Sequence, residues 1–426
     1  METAYRTVAW IAHRLPAPTG RLGASQAGRR RADARWVGWS ERHRPDGRLV
    51  WLHAASVGEV LAAEPIVRRL RAAVSGLHVV LTHTSSSVTA WDSTAIAEQT
   101  DYLPRDEPRV MARVLDALRP DLLLLSRGDL WPALTRAAHA RRVPVTIAGA
   151  VVRPRSLRLR WPARAVLRPA ARSIAYVGAV TDGDAERWCR LGVLADRIAV
   201  TGDPRHDHVI ERTGQPETIA PLLTWARDIV IVAGSVERED EAHVLGAAAG
   251  LAANHALQWL VVPHDPTDAT CRRLLAGAAA RELSAACWSG AGAPPTDATL
   301  VVVRTRGVLF DLYALGTVAY VGGGFRRGQL HAVAEPAAAG VPVLVGPQWQ
   351  EHRDAATLIS CGGGAAISRG AALGDGLSAW LMDPESRRRA GGAARAAIAG
   401  GATDRTVEGL LPLLARGSGR FVGDPA

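Results

Sequence analysis

Short apolar runs separated by helix-length amphipathic stretches constrain this 426-residue chain more than any other feature. Leu49 to His53, Val79 to Thr82, Leu122 to Leu125, Val143 to Ala148 and Ile198 to Thr201 read as strands, with a helix over 59 to 73. A strand that is apolar along its length is buried on both faces, as in a parallel sheet with helices on either side. The alternation lapses over 203 to 226, where Pro204, Gly214, Pro216 and Pro221 read as a linker. It then restarts at Ile229 to Ala233 and continues through Leu257 to Val262, Thr299 to Val303, Thr317 to Val321 and Val341 to Val345. The expected architecture is α/β, two Rossmann-like doubly wound domains facing a cleft, with ligands outside the carboxyl ends of the strands. The division is an N-terminal basic segment over 1 to 48, a first domain over 49 to 208, a linker over 209 to 226 and a second domain over 227 to 426. The Ala/Arg-rich tail from about 386 should be helical, with a Gly-rich break near 400.

All 51 basic residues are Arg, and against 41 acidic ones they give a net charge of +10. An Arg-biased genome produces this, and so does a partner bearing phosphates, such as a sugar nucleotide or an anionic membrane surface. Nucleic acid is not expected, because no zinc knuckle, helix-turn-helix or aromatic RNA-binding pattern occurs. The cysteines Cys189, Cys271, Cys287 and Cys361 form no CxxC pair, which argues against disulfide scaffolding and a zinc site and fits a reducing compartment.

No apolar run approaches the roughly 20 residues of a membrane span. Arg14 and Pro16 interrupt the first apolar stretch, so a signal peptide is not expected either. A cytoplasmic location follows, free or on a membrane face. Residues 3 to 15 read as an amphipathic helix, followed by Arg21, Arg29 to Arg31, Arg35, Trp36 and Trp39. Trp beside Arg suits an interfacial segment, and a solvated arm has the same composition. A second basic stretch interleaves Arg153, Arg155, Arg158, Arg160, Arg164, Arg168 and Arg172 with Leu157, Leu159, Trp161, Val166 and Leu167. It reads either as a membrane contact or as an Arg-rich helix in an Arg-rich protein, and reversing Arg158, Arg160 and Arg164 tests the first.

Four segments carry candidate chemistry. His53-Ala-Ala-Ser56-Val-Gly58-Glu59 follows the first strand and opens a helix, with Ser56 and Gly58 suiting a tight turn. Glu59 there is either half of a capping box with Ser56 or a carboxylate poised at a strand end. Tyr320-Val-Gly322-Gly323-Gly324-Phe325, then Gly328, His331 and Glu335-Pro336, reads as a strand, a phosphate-approaching loop and a helix whose carboxylate can accept ribose hydroxyls. Gly234 and Ser235 end another strand and are candidate phosphate contacts, and the acidic run after them reads as a helix start. Pro263 and His264, with Asp265, end the next strand and lie where a nucleotide would.

Over roughly 49 to 370 these residues resemble the 3-deoxy-D-manno-octulosonic acid (Kdo) transferases. The resemblance rests on Trp51-Leu-His-Ala-Ala-Ser-Val-Gly-Glu-Val60, Tyr102-Leu-Pro-Arg-Asp106, Asp129-Leu-Trp131-Pro132, Arg155-Ser156, Leu191-Gly192, the stretch from Val200 through Arg205 to Asp207, Ala233-Gly-Ser235, Pro263, Gly307 and the Gly322 to Pro347 stretch. It implies a GT-B glycosyltransferase fold, no cofactor and no metal requirement. It also implies CMP-Kdo as donor, a lipid A precursor as acceptor, inversion at the anomeric carbon and work at the anionic inner-membrane surface. Glu59 inherits the catalytic base. His331 and Glu335 inherit nucleotide contacts, and Gly234, Ser235, Pro263, His264, Gly307, Gly323 and Gly324 inherit the donor loops. Ser56, Gly58, Asp129, Arg155 and Arg205 fall to the acceptor side.

The chain departs from that pattern at several positions. Ala332 replaces Asn beside His331, and Arg127-Gly128-Asp129 replaces Glu-Thr-Glu. His264-Asp265 stands where Arg-His is common. Arg304 and Arg306 enter an Asp-Thr-x-Gly-x-Leu element of which Thr305, Gly307 and Leu309 survive, and Gly149 to Val151 replaces Asn-Ala-Arg. These changes admit a related ulosonic acid as donor. Other readings are a UDP-sugar transferase, a UDP-sugar 2-epimerase and a non-catalytic relative. Intact Glu59, His331 and Glu335 speak against the last.

Overall fold

The computed structural model describes residues 21–212, 216–252, 257–368 and 372–417, so the helix expected over 3 to 15 lies outside the described residues. The chain forms two units, Met1–His208 with Gly400–Ala426, and Val209–Ala399.

The first unit holds β1 (Arg48–His53), β2 (Leu77–His83), β3 (Gln99–Tyr102), β4 (Leu122–Ser126), β5 (Val145–Ala150), β6 (Tyr176–Ala179) and β7 (Ile198–Val200). Their order in the sheet is β3-β2-β1-β4-β5-β6-β7, and every pairing is parallel. Successive β1 residues alternate faces: Leu49 and Trp51 enter one core cluster, Val50 and Leu52 the other. Helices cover both faces because their own apolar residues recur at helical spacing. Pro108–Leu118, for instance, starts with Pro at its first turn and buries Met111, Val114, Leu115 and Leu118. Strand order reverses between β1 and β4, so the loops leaving these two strands border a crevice at their carboxyl ends.

The second unit repeats the plan with β8 (Val230–Val236), β9 (Gln258–Pro263), β10 (Ala285–Trp288), β11 (Leu300–Val303), β12 (Val318–Val321), β13 (Val343–Val345) and β14 (Gly364–Ala366). The order is β10-β11-β9-β8-β12-β13-β14, again all parallel, with the reversal between β8 and β12.

Three boundaries differ from the sequence reading. Residues 21 to 48 are not a separate membrane-proximal segment: Trp36 is 1% exposed in the first core and its indole N–H donates to the Tyr102 carbonyl at 3.0 Å. Arg35 is held by Asp101 at 2.6 Å, so Trp36 and Arg35, which read as interfacial, are packing and pairing groups. The 209 to 226 linker is largely helical, and Ile219, Leu222 and Trp225 of it enter the second core. The last helix, Ala402–Gly417, belongs to the first unit and not the second. Its Val407, Leu410 and Leu414 enter the core cluster of the Val50 and Leu52 face, the helix packing on the helix Val57–Ala73, β4 and β6, and both Asp207 carboxylate oxygens accept backbone N–H groups at its start, from Gly401 at 2.6 Å and Thr403 at 2.5 Å.

Candidate functional site

In the first unit the β1 loop turns into the helix Val57–Ala73 at Ser56. Among the described residues the Ser56 side chain makes no capping hydrogen bond. The Glu59 carboxylate instead accepts the Ala55 backbone N–H at 2.7 Å. A reciprocal capping box is therefore not formed, and Glu59 keeps one carboxylate oxygen outside this bond. Burial raises its pKa above the ordinary glutamate value; the Ala55 bond opposes this, the nearby Asp129 charge adds to it and Arg127 opposes it. Gly58 faces open space on its Cβ side, so no steric contact demands glycine there.

The β4 loop delivers Arg127, Gly128 and Asp129 to the same crevice. Arg127 has φ of 63° and Gly128 of 123°. The Ser126 hydroxyl donates to the Glu59 carbonyl at 3.0 Å, tying this loop to the Glu59 helix. Arg158 braces it from the other side, donating to the Gly128 carbonyl at 2.6 Å. Arg158 is thus a half-buried strut rather than a surface cation. Arg127 also donates to Asp203 at 3.0 Å, and Arg205 reaches the same carboxylate at 2.7 Å. Burial would raise the Asp203 pKa, but Arg205 and then Arg127 more than offset it and hold it below the ordinary range. Asp106 accepts the Ala133 and Leu134 N–H groups at 3.0 and 2.8 Å, so the Tyr102 to Asp106 and Asp129 to Pro132 motifs form one capped corner. His53 is fully buried, 3.0 Å from the Thr82 hydroxyl, and burial depresses its pKa to about 3, so it is neutral. Arg155 is exposed beside Leu157, outside this cluster.

In the second unit Asp240 organises the crevice. Its buried carboxylate accepts the Tyr320 hydroxyl at 2.7 Å and the Gly323 and Glu237 N–H groups at 2.8 Å each. Gly323 has φ of +85° and its Cβ would fall 2.2 Å from the Gln329 carbonyl; Gly324 packs just as closely on Gly346. These two glycines are required by the turn and its close approach. Gly307, at φ +83°, opens the loop after β11 into free space. Gly234 differs from expectation: β8 runs on through it to Val236, and its Cβ would lie 2.0 Å from the Tyr313 hydroxyl, so packing accounts for the glycine. Ser235 sits at φ 53° in the irregular end of that strand.

His331 Nε2 lies 3.0 Å from Glu237, and its ring stacks on His264 at 4.4 Å. Pro263 is buried just before His264. Glu335 is half-buried; burial raises its pKa, Arg212 at 3.6 Å opposes this and Asp311 adds to it. The sequence reading missed Asp203, Arg212, Glu237 and Asp240, which besides any local bond each have a partner 76, 123, 94 and 83 residues away in the chain.

The two arginines that enter the Asp-Thr-x-Gly-x-Leu element both find carboxylate partners. Arg306 donates to Asp265 at 2.6 Å and Arg304 pairs with Asp268.

Residues 29–208 match the model of the 3-deoxy-D-manno-octulosonic-acid transferase (kdotransferase) family. A 3-deoxy-D-manno-octulosonic acid transferase of Bordetella pertussis is 34% identical over 385 residues, covering 85% of this chain and 86% of that protein. The Haemophilus influenzae protein of the same name is 27% identical, covering 87% and 88%. Among solved structures, the UDP-GlcNAc 2-epimerase of Neisseria meningitidis matches with a TM-score of 0.63 at 15% identity, over 86% of this chain and 100% of that one. That of Methanocaldococcus jannaschii gives 0.56 at 13%, over 86% and 100%. At such identities the likeness is one of fold, the GT-B arrangement of two parallel-sheet domains.

Proposed function

The chain belongs to the 3-deoxy-D-manno-octulosonic acid transferase family, and from that premise we propose that it transfers Kdo from CMP-Kdo to a lipid A precursor in lipopolysaccharide assembly, with inversion. The observation that carries the mechanism is the Glu59 carboxylate at the carboxyl end of β1, bonded to one backbone N–H and raised in pKa by burial. A general base has to be ionised yet basic enough to take a proton, and partial burial supplies that balance. Glu59 takes the proton of the acceptor hydroxyl as that oxygen forms its bond to the anomeric carbon. The bond from that carbon to the CMP phosphate oxygen breaks, and CMP leaves with the electron pair. In the second unit Glu335 accepts the ribose hydroxyls, and His331 with the Gly323–Gly324 turn meets the phosphate.

The test is incubation with CMP-Kdo and a tetraacylated lipid A precursor, read by the mass of the lipid product. A thermal-shift series separates the alternatives, because a ligand of the native state raises apparent stability. CMP should stabilise and UDP should not; the reverse pattern would favour a UDP-sugar enzyme.

We further propose that the protein works as a peripheral protein at an anionic inner-membrane surface. No helix among the described residues is long and apolar enough to cross a membrane. Leu157 is 72% exposed and Trp161 79%, flanked by exposed Arg153, Arg155, Arg160 and Arg164. Apolar tips among guanidinium groups suit acyl chains beneath anionic headgroups.

A further inference from the structure

Two of the cysteines meet at the edge of the second sheet. Cys271 lies near the start of the helix Asp268–Ala279 and is 4% exposed, while Cys287 is exposed on the edge strand β10. Strand alternation sets the face of Cys287. Ala286 and Trp288 enter one core cluster, so Ala285 and Cys287 point to the other side, where Cys271, Leu274 and Ala278 of the helix are packed. The helix lies directly on β10, and the Cys271 thiol interacts with the Cys287 thiol beside it. We propose that Cys271 and Cys287 form a reversible disulfide when the protein meets a peroxide, with Cys287 the sulfur oxidised first and Cys271 its resolving partner.

Arg304 holds the two cysteine-bearing elements together. Its backbone N–H donates to the Trp288 carbonyl at 2.8 Å, and its guanidinium pairs with Asp268. Asp268 is three residues before Cys271, on the same face of the helix one turn earlier. One residue thus joins the end of β10 to the helix turn that carries Cys271. Access divides the roles, because oxidation by peroxide follows exposure, which Cys287 has and Cys271 lacks. Burial, and then Cys287, raise the Cys271 pKa, while Arg304 opposes them, so Cys271 waits as a thiol beside the exposed sulfur. Cys189 and Cys361 are exposed as well; Cys189 sits in the first unit, and the Cys361 thiol donates to the Leu358 carbonyl at 3.3 Å. They are controls for exposure without this arrangement.

The chemistry balances with peroxide as the oxidant. The Cys287 thiolate attacks one peroxide oxygen and the O–O bond breaks. Cys287 becomes a sulfenic acid, and the departing hydroxide takes up a proton. The Cys271 sulfur then attacks the Cys287 sulfur. Its proton goes to the hydroxyl, which leaves as water as the S–S bond forms. The two thiols lose two electrons and two protons, and the peroxide is reduced to water. A thiol reductant reverses the bond by exchange. While it lasts, the bond pins the helix Asp268–Ala279 to the edge strand and restricts the unfolded chain.

The site is independent of the transferase reading and is tested without nucleotide. The full chain is reduced, freed of reductant and treated with stoichiometric hydrogen peroxide. Remaining thiols are alkylated under denaturing conditions, and tryptic peptides are mapped by mass without reduction. The expected product links the Cys271 peptide to the Cys287 peptide within one chain, leaves Cys189 and Cys361 open to alkylation and disappears on adding dithiothreitol. The oxidised protein should also unfold at a higher temperature than the reduced one. Cys287→Ser, a change at an exposed position, should abolish both the link and the shift. Cys271→Ser should leave Cys287 as a sulfenic acid that dimedone captures. Thermal unfolding of the reduced variants checks that both fold. Wild-type protein in which Cys287 is oxidised to sulfenic or sulfinic acid while Cys271 stays open to alkylation would overturn the proposal, and so would disulfides that join only separate chains.

Discussion

Glu59 accepts the backbone N–H of Ala55 through one carboxylate oxygen at 2.7 Å, while the neighbouring Ser56 side chain, the other half of the expected capping box, makes no capping bond among the described residues. Glu59→Gln should therefore leave the fold intact. Turnover should fall by at least about 10²-fold, the lower end of what a general base contributes. Single-turnover rates with unfolding curves of both proteins check this, and near wild-type turnover would return Glu59 to a structural role.

The raised pKa of Glu59 predicts an acid limb in the pH dependence of the rate, because the base must be ionised and is lost as pH falls through its pKa. The Asp129 charge helps to raise that pKa. Asp129→Asn should consequently move the acid limb to lower pH, whatever it does to KM. A limb that stays in place, measured from kcat/KM against pH, would separate Asp129 from Glu59.

Glu335→Ala should weaken CMP binding about tenfold or more, as expected when a charge-assisted hydrogen bond worth roughly 1.5–3 kcal/mol is removed. Acceptor KM should change little. Calorimetric titration with CMP decides, and unchanged affinity would move the ribose contact elsewhere.

Asp203→Ala removes the shared partner of Arg127 and Arg205, leaving two guanidinium groups 25% and 34% exposed. A loss of about 3 kcal/mol is expected in urea unfolding, the lower end for breaking a buried pair because both arginines are partly solvated. The Asp203 pKa is depressed, so this stabilisation is complete above the unfolded aspartate pKa and fades as pH falls toward the folded value. The difference between wild type and variant should shrink in strong acid and stay constant at neutral pH.

Reversing the charges of Arg155, Arg160 and Arg164 together should weaken co-sedimentation with anionic vesicles at low salt and leave CMP affinity unchanged. Arg158 is excluded from this set because it braces the Gly128 loop. Undiminished sedimentation would clear this face of membrane contact.

The strands that could be read in the sequence are the apolar ones. Leu122 to Leu125 and Leu300 to Val303 are buried on both faces and announce themselves by composition alone. Gln99–Tyr102, Ala285–Trp288 and Gly364–Ala366 stand at or next to a sheet edge, are only partly buried and carry little of that signal. Tyr176–Ala179 is too short to stand out beside the Arg-rich helix before it. At the candidate site, the sequence singles out Glu59 and Glu335 because they lie in contiguous motifs. Asp203 and Asp240 are not singled out: their importance comes from partners brought together by the sheet, and Gly202–Asp203 reads locally as an ordinary turn.

The helix Ala402–Gly417 has a consequence for the order in which this protein comes into being. Its Val407, Leu410 and Leu414 complete the core cluster of the Val50, Leu52 and Leu81 face beside the helix Val57–Ala73. A ribosome that has finished the first 208 residues has therefore made every strand of that sheet but not its last covering helix. The first unit must wait, with the part of that face beside the helix Val57–Ala73 uncovered, until the whole of the second has been synthesised. During that interval Asp207, which later seats the helix start, has no Gly401 or Thr403 to receive. The N-terminal half is in this sense the last part of the molecule to be finished, and the half made later is the one whose residues are contiguous in the chain.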